Sequence, residues 1–159
     1  KNAVIDVDVT IVADRNQQLE LGDTEEAFVG FRFDDAFKEK NGAWITNSSG
    51  LSGSENIWGK RAAWVDYSTI LDNAKIGVAI FDHPSNPRHP TFWHARGYGV
   101  CGANAFGIRN FTGDETQDGT MVIPKDGELR FRYRFVIHPG DATEAEVVQL
   151  HKDYEQGKL

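Results

Sequence analysis

The 159-residue chain is long enough for one domain with its own core, and 40% hydrophobic and 26% charged residues are typical of a soluble globular protein. Its net charge is −7, from 24 acidic and 17 basic residues, so we expect no nucleic-acid partner. A single cysteine, Cys101, excludes an intrachain disulfide and a cysteine-based zinc site. No apolar run is long enough to span a membrane, so we expect no membrane insertion.

The first third of the chain contains strand patterns and one long loop pattern. It starts with Lys1 rather than Met, so we expect a missing or processed upstream segment and favour a secreted or periplasmic location. Residues 5–11 alternate apolar and polar side chains, which is typical of a strand with one buried face. Residues 26–33 carry apolar side chains on both faces and predict a strand inside a sheet. Residues 41–59 are rich in Gly, Ser and Asn and predict a long, functional loop.

The later segments complete the predicted fold. Residues 60–67 and 76–81 read as short strands, and residues 128–138 give the clearest alternation in the chain. Residues 141–156 have helical composition with one apolar face. The sequence therefore predicts a single domain over residues 1–159, an all-β antiparallel β-sandwich with one C-terminal helix.

Residues 82–99 are the most unusual stretch. His83, His89 and His94 fall within twelve residues, and the whole stretch also contains two arginines and three prolines. The prolines hold the first half in turn or extended geometry. Neither a core strand rich in Val and Ile nor a solvated loop has this composition, so we look for a functional site here.

The second half of this stretch allows a geometric prediction. If residues 91–98 are extended, His94, Arg96 and Tyr98 lie on one strand face, about 7 Å apart in succession. Such a stripe of polar side chains suits a ligand.

Several blocks of the sequence are similar to a known bacterial family. The blocks are Asn47–Gly50, Trp58–Tyr67, Ile80–Thr91, Trp93–Gly99, Arg132–Arg134 and His138–Asp141. In this order they resemble the PmoA-like family, also labelled "methane oxygenase PmoA", over about residues 20–155. Family members are longer, and their first half carries a His-Pro-His-His-Arg-Gly-Leu-Trp-like motif that this chain lacks. The resemblance implies that the chain is the C-terminal part of a larger domain, completed by an N-terminal half or a partner chain.

The resemblance also implies carbohydrate chemistry. Proteins of this type look similar to galactose-mutarotase-like supersandwiches, whose concave sheet binds sugars through aromatic, His, Arg and carboxylate side chains. We therefore expect an enzyme of the epimerase, lyase or hydrolase type acting on a small-molecule or oligosaccharide ligand. The expected acid–base residues are His94 or His83 with a carboxylate. The candidate carboxylates are Glu55, Asp66 and Asp82.

Further residues are expected to hold the sugar. The aromatic candidates for a pyranose ring are Trp58, Trp64, Trp93 and Tyr98. The polar candidates are Asn47, Lys60, His89, Arg96 and Asn104. Some candidates also have a structural interpretation: Asp82 and His83 as caps of the proline turn, His89 as an exposed residue, and the tryptophans as core or rim aromatics.

Two other functions stay open. A noncatalytic carbohydrate-binding or interaction module would use the same aromatic and polar residues. The family label instead implies a copper oxygenase, for which the imidazole donors would be His83, His89, His94 and His138. Their spacings match no compact metal motif, so we expect no cofactor.

Overall fold

The computed structural model describes residues 1–158 and contains ten strands in three antiparallel sheets. The strands are β1 (Ala3–Val12), β2 (Leu19–Leu21), β3 (Val29–Arg32), β4 (Trp44–Asn47), β5 (Trp64–Leu71), β6 (Ala74–Asp82), β7 (Phe92–Arg96), β8 (Val100–Asn104), β9 (Met121–Ile123) and β10 (Glu128–Pro139). The α-helices are α1 (Ser54–Ile57), α2 (Ile108–Thr112) and α3 (Val147–Glu155), and 3₁₀ turns span Asp35–Phe37 and Glu39–Asn41. Within residues 1–158 no helix has the length and apolar character needed to cross a membrane.

The largest sheet has the strand order β1-β10-β6-β5-β4. The alternation predicted for residues 128–138 is confirmed, since Phe131, Tyr133 and Phe135 point into the core while the intervening arginines face outward. Strand β10 pairs with β1 on one side and β6 on the other, which explains its apolar inner face.

A second sheet, ordered β3-β8-β7, covers the inner face of the first. The rings of Phe31 on β3 and Phe135 on β10 meet with centroids 4.3 Å apart, and Trp93 and Cys101 are fully buried between the sheets. The predicted all-β antiparallel sandwich is therefore confirmed. The small sheet β2-β9 is separate from these two layers.

The C-terminal helix covers part of the outer face of the large sheet. Val147 and Tyr154 of α3 pack with Phe81 and Val136 in a second apolar cluster. The helix is shorter than predicted, because residues 142–146 form turns before it starts. The large sheet is thus buried on its inner face and partly buried on its outer face.

Two segment predictions are wrong. The predicted loop at residues 41–59 contains β4 and α1, because β4 pairs with β5 along the edge of the large sheet. Strand β3, within the predicted strand at residues 26–33, lies at a sheet edge rather than inside a sheet. Local composition does not show either outcome, since both depend on distant pairing partners.

The predicted extended segment at residues 91–98 is also too long. Strand β7 ends at Arg96, and a turn closed by the Gly99 amide donating to the Arg96 carbonyl (3.1 Å) leads into β8. Gly99 has a φ of +87°, a conformation that glycine adopts without strain. Tyr98 therefore lies in this turn, outside the strand face of His94 and Arg96.

Candidate functional site

Strand β6 ends in a buried carboxylate that collects three hydrogen bonds. Asp82 continues the inward-facing alternation of β6 and is fully buried. Its carboxylate accepts hydrogen bonds from Asn86 Nδ2 (2.7 Å) and the Thr91 backbone amide (2.9 Å). His89 Nδ1 lies 2.7 Å from Asp82 Oδ2. The proline-rich turn thus folds back onto the end of its own strand.

His89 has the orientation of an acid–base group. With Nδ1 bonded to Asp82, the imidazole is oriented by the carboxylate, and its Nε2 makes no hydrogen bond within residues 1–158. The His89 side chain is 20% exposed, so it is accessible to a ligand. Burial raises the pKa of Asp82, against the hydrogen bond from Asn86 and the charge of His89. A partly exposed imidazole backed by a buried carboxylate is suited to moving protons.

Arg61 fixes the turn that carries His89. Its Nε donates to the Pro90 carbonyl (2.7 Å), and its Nη2 donates to the Arg88 carbonyl (2.8 Å). Residues 59–62 also run beside β7 and cover its open edge with main-chain hydrogen bonds. His89 is therefore held by contacts from a segment nearly thirty residues away in sequence.

A second group of predicted residues surrounds a shallow cavity at the other end of β7. The cavity has a volume of about 310 Å³ and is lined by Ser54, Glu55, Trp58, Ala95 and Arg96. The Arg96 guanidinium lies over the Trp58 ring, 4.7 Å from its centroid. Helix α1 brings Glu55 and Trp58 to β7, so three residues predicted from sequence converge here.

His94 lies beside this cavity but does not line it. It is buried, and the nearest polar group to its Nε2 is Arg96 Nε, which donates to it at 3.4 Å. This contact places the imidazole proton on Nδ1, which is buried and has no hydrogen-bond partner within residues 1–158. His94 therefore contacts Arg96 without reaching the cavity. Glu25 also lies near Arg96, with its Oε1 3.9 Å from Arg96 Nη2.

Aromatic rings connect the cavity with His89. The Trp58 and Phe111 centroids are 5.4 Å apart, and Phe111 stacks on Phe92 at 5.3 Å. The Arg61 guanidinium then lies 5.5 Å from the centre of the Phe92 ring. We call this set, from Glu55, Trp58 and Arg96 through Phe111, Phe92 and Arg61 to His89, the β7-edge surface.

Comparison with known protein families gives a match. The model of a family described as "Family of unknown function (DUF6807)" matches residues 1–152. The chain belongs to the DUF6807 family. No curated protein and no solved structure gives a significant match. Membership in DUF6807 defines no activity, so function has to be argued from the side chains of this member.

One predicted catalytic residue of this DUF6807 member lies outside the β7-edge surface. Asp66 is buried on the outer face of the large sheet, where Oδ2 accepts from His138 Nε2 (2.7 Å) and Oδ1 accepts from Ser68 Oγ (2.5 Å). Burial disfavours the charged imidazole, yet the hydrogen bond and charge of Asp66 prevail and raise the pKa of His138. Gly77 makes room for this cluster, since a Cβ there would lie 2.2 Å from His138 Cε1.

Sequence reasoning missed this cluster because its members come from different strands. His138 was considered only as a metal donor, and it lies 72 positions from Asp66. The only sequence signal was that His138 shares the alternation of the outward arginines on β10. Without knowledge of which strand flanks β6, that pattern predicts a solvent-facing histidine.

Both predicted asparagines organise backbone. Asn47 Oδ1 accepts from the amides of Ser49 and Leu51, each at 3.0 Å. Asn104 binds two carbonyls through Nδ2 and two amides through Oδ1. Turns and loops engage these polar groups, so the structure does not bring either asparagine to the β7-edge surface as a sugar-binding residue.

The remaining predicted residues are dispersed. Trp93 is fully buried and donates to the Ala62 carbonyl (2.8 Å), so it is a core residue. Trp64 lines a different cavity of about 550 Å³ with Trp44. Lys60 and Tyr98 are exposed. His83 lies on the outward face at the end of β6, in a cavity with Arg132 and Tyr154.

The histidines proposed as copper donors do not form one group. His138 pairs with Asp66, His94 contacts Arg96, and only His83 and His89 flank the same turn. Among residues 1–158, no three His, Cys, Asp or Glu side chains are grouped so that they could hold a metal ion.

Proposed function

We propose that the chain is a carbohydrate-active enzyme in which His89 and Asp82 move protons on a sugar bound along the β7-edge surface. The observation that carries this proposal is the partly exposed His89 ring, with Nδ1 2.7 Å from the buried Asp82 carboxylate and Nε2 without a hydrogen bond among residues 1–158. The resemblance to PmoA-like and galactose-mutarotase-like proteins supports the same substrate class.

The cavity around Trp58 lies at the opposite end of β7 from His89, so it supplies binding groups for another unit of an oligosaccharide whose reacting unit lies at His89. An aromatic ring offers an apolar face to the C–H side of a pyranose ring. Arg96 donates hydrogen bonds and Glu55 accepts them, so the pair matches the hydroxyl groups of a sugar. The half-buried ring of Phe92, which stacks on the buried Phe111, provides apolar surface between this cavity and His89.

The proposed chemistry is general acid–base catalysis by His89. Neutral His89 removes a proton through Nε2, either from the sugar carbon next to a carbonyl or carboxylate, or from an attacking water. Asp82 holds the imidazole through Nδ1 and stabilises the cation that forms. Delivery of a proton to the opposite face of that carbon, by solvent or by His89 after the intermediate turns over, gives epimerisation, whereas transfer of the removed proton to a leaving oxygen gives elimination or hydrolysis.

Deuterium exchange tests this proposal. The protein is incubated in D₂O with galactose, glucose, galacturonate and glucuronate, and with oligosaccharides of each, and exchange at carbon is followed by NMR. Reducing-end release reports hydrolysis, and ultraviolet absorbance of unsaturated products reports elimination. We expect turnover by the wild type and a loss of at least about 100-fold in His89→Gln.

The matched variant is His94→Gln, which removes the other histidine predicted near the sugar. Binding is measured in parallel by saturation-transfer NMR, with Trp58→Ala expected to weaken it in every background. Turnover lost in His94→Gln but kept in His89→Gln would overturn the assignment of His89.

A noncatalytic carbohydrate-binding module is the second candidate. One observation favours it: the Trp58 cavity is lined without any histidine, because His94 is buried behind Arg96. This function predicts sugar binding that depends on Trp58 and Arg96, no turnover by the wild type, and unchanged binding in His89→Gln.

A further inference from the structure

The outer face of β10 carries three arginines beside two aspartates of β1. Arg134 forms a bidentate pair with Asp6, with nitrogen–oxygen distances of 2.6 and 2.8 Å. Arg130 forms a second bidentate pair, with Asp8, through Nε and Nη2. In both pairs the hydrogen bond to the arginine lowers the pKa of the aspartate, so both carboxylates are ionised at neutral pH.

Arg132, between these two, has no such partner. Its nearest carboxylate oxygen is Asp8 Oδ2, 3.9 Å from Nε, which is beyond hydrogen-bond distance. Within residues 1–158 the Arg132 guanidinium makes no hydrogen bond, and its side chain is 40% exposed. Three arginines against two aspartates leave one positive charge here, and it is centred on Arg132.

Arg132 faces a cavity that contains further hydrogen-bond donors. The cavity has a volume of about 280 Å³, and its polar lining includes His83, Tyr154, the three arginines and the two aspartates paired with Arg130 and Arg134. His83 Nδ1 accepts a hydrogen bond from the Ser85 backbone amide (3.0 Å), so the imidazole proton is on Nε2. Burial, and then the charge of Arg132, lower the pKa of His83 and keep the ring neutral with Nε2–H as a donor.

We propose that this cavity binds an oxoanion, the carboxylate or phosphate group of a small ligand, through Arg132, His83 and the Tyr154 hydroxyl. A guanidinium matches the two oxygens of either group bidentately. The Tyr154 hydroxyl makes no hydrogen bond within residues 1–158 and completes a set of donors around one unpaired charge. None of the residues that line this cavity belongs to the β7-edge surface, and anion binding here does not depend on sugar turnover there.

Titration with simple anions tests this site. ¹⁵N–¹H NMR spectra of the protein are recorded against phosphate, acetate and glucuronate at constant ionic strength. We expect saturable shifts at the Arg132 and His83 amides for phosphate or for both carboxylates, and the three probes separate the two anion chemistries. Arg132→Gln should weaken binding by roughly tenfold or more, since a hydrogen-bonded charge contributes about 1.5–3 kcal/mol.

Two further variants complete the test: a control for loss of charge and a second substitution in the proposed site. Arg15→Gln removes the same charge from an exposed turn and should leave binding unchanged. His83→Gln should weaken binding even if Arg132→Gln fails to fold. The proposal is overturned if the wild type gives no saturable shifts with any of the three anions, or if Arg132→Gln and Arg15→Gln bind equally well.

Discussion

Two histidine–aspartate pairs in this chain have the same contact distance and opposite surroundings. His138 and Asp66 are 2.7 Å apart and almost wholly inaccessible to solvent. His89 and Asp82 are also 2.7 Å apart, but the His89 side chain is 20% exposed. The two carboxylates also accept hydrogen bonds from different further donors. Asp66 accepts one from the Ser68 hydroxyl, whereas Asp82 accepts one from the Asn86 side chain and one from the Thr91 amide.

This difference separates a structural pair from a candidate catalytic pair. No ligand reaches His138 without displacing the surrounding chain, so its pairing with Asp66 affects the stability of the folded protein and not ligand binding. His89 can contact a ligand through Nε2 while Asp82 stays fixed by two other donors. Pairing alone therefore does not distinguish a catalytic histidine from a structural one, since a catalytic histidine also needs access to a ligand.

We expect the largest effect on stability when the buried Asp66 carboxylate is removed. Asp66→Ala leaves His138 and Ser68 buried without their shared partner, so we expect a loss of about 3–5 kcal/mol in the free energy of unfolding. Urea denaturation measures it. Glu115→Ala, which removes an exposed carboxylate, should stay within roughly 0.5 kcal/mol of the wild type. A loss below about 1 kcal/mol in Asp66→Ala would contradict the structural role.

The second prediction concerns pH. Because the pKa of His138 is raised on folding, its stabilising effect is complete below the unfolded-state pKa of about 6.5 and is lost as pH rises through the folded-state pKa. Between those two values, stability should fall by about 1.4 kcal/mol per pH unit.

Asp66→Asn provides the control for this slope. Burial lowers the pKa values of His83 and His151, which act in the opposite direction and remain in both proteins. The difference in unfolding free energy between wild type and Asp66→Asn should therefore shrink as pH rises above about 6.5. A difference that stays constant with pH would show that His138 does not gain protons on folding.

The smallest expected effect is at the accessible pair. His89→Ala removes one of the three hydrogen bonds to Asp82 and leaves those from Asn86 and Thr91, so we expect a loss of about 1–2 kcal/mol. Urea denaturation of His89→Ala and Asp66→Ala under the same conditions compares the two losses in unfolding free energy directly. Equal losses in the two variants would remove the distinction between the pairs.

Part of the candidate site follows from the sequence. The stretch at residues 82–99 was selected for its histidines, and it contains both His89 and Arg96. The alternation of β7 correctly placed His94 and Arg96 on one strand face. The convergence of Glu55 and Trp58 on Arg96 was not predictable as geometry, because α1 falls in a segment whose composition predicts a loop.

The partners of the acidic residues were also beyond sequence reasoning. The sequence predicts His94 or His83 beside one of three carboxylates without choosing between them, and the turn brings His89 to Asp82 instead. Asp66 meets His138, because β6 lies between β5 and β10 and its Gly77 leaves room for the contact. Long-range pairing of strands decides such contacts, and alternation within one strand carries no information about it.

The sequence by itself determined the fold class, the main strands and the side of β10 that enters the core, because the period of two in apolar residues is a local property of the chain. Tertiary structure alone decided which histidine meets which carboxylate and which of them stays accessible. Those outcomes depend on strand order, on the turn through residues 83–90 held by Arg61, and on the space left by Gly77. Burial then separates the two histidine–aspartate pairs into one closed to solvent and one accessible, since solvent access is a property of the assembled sheets.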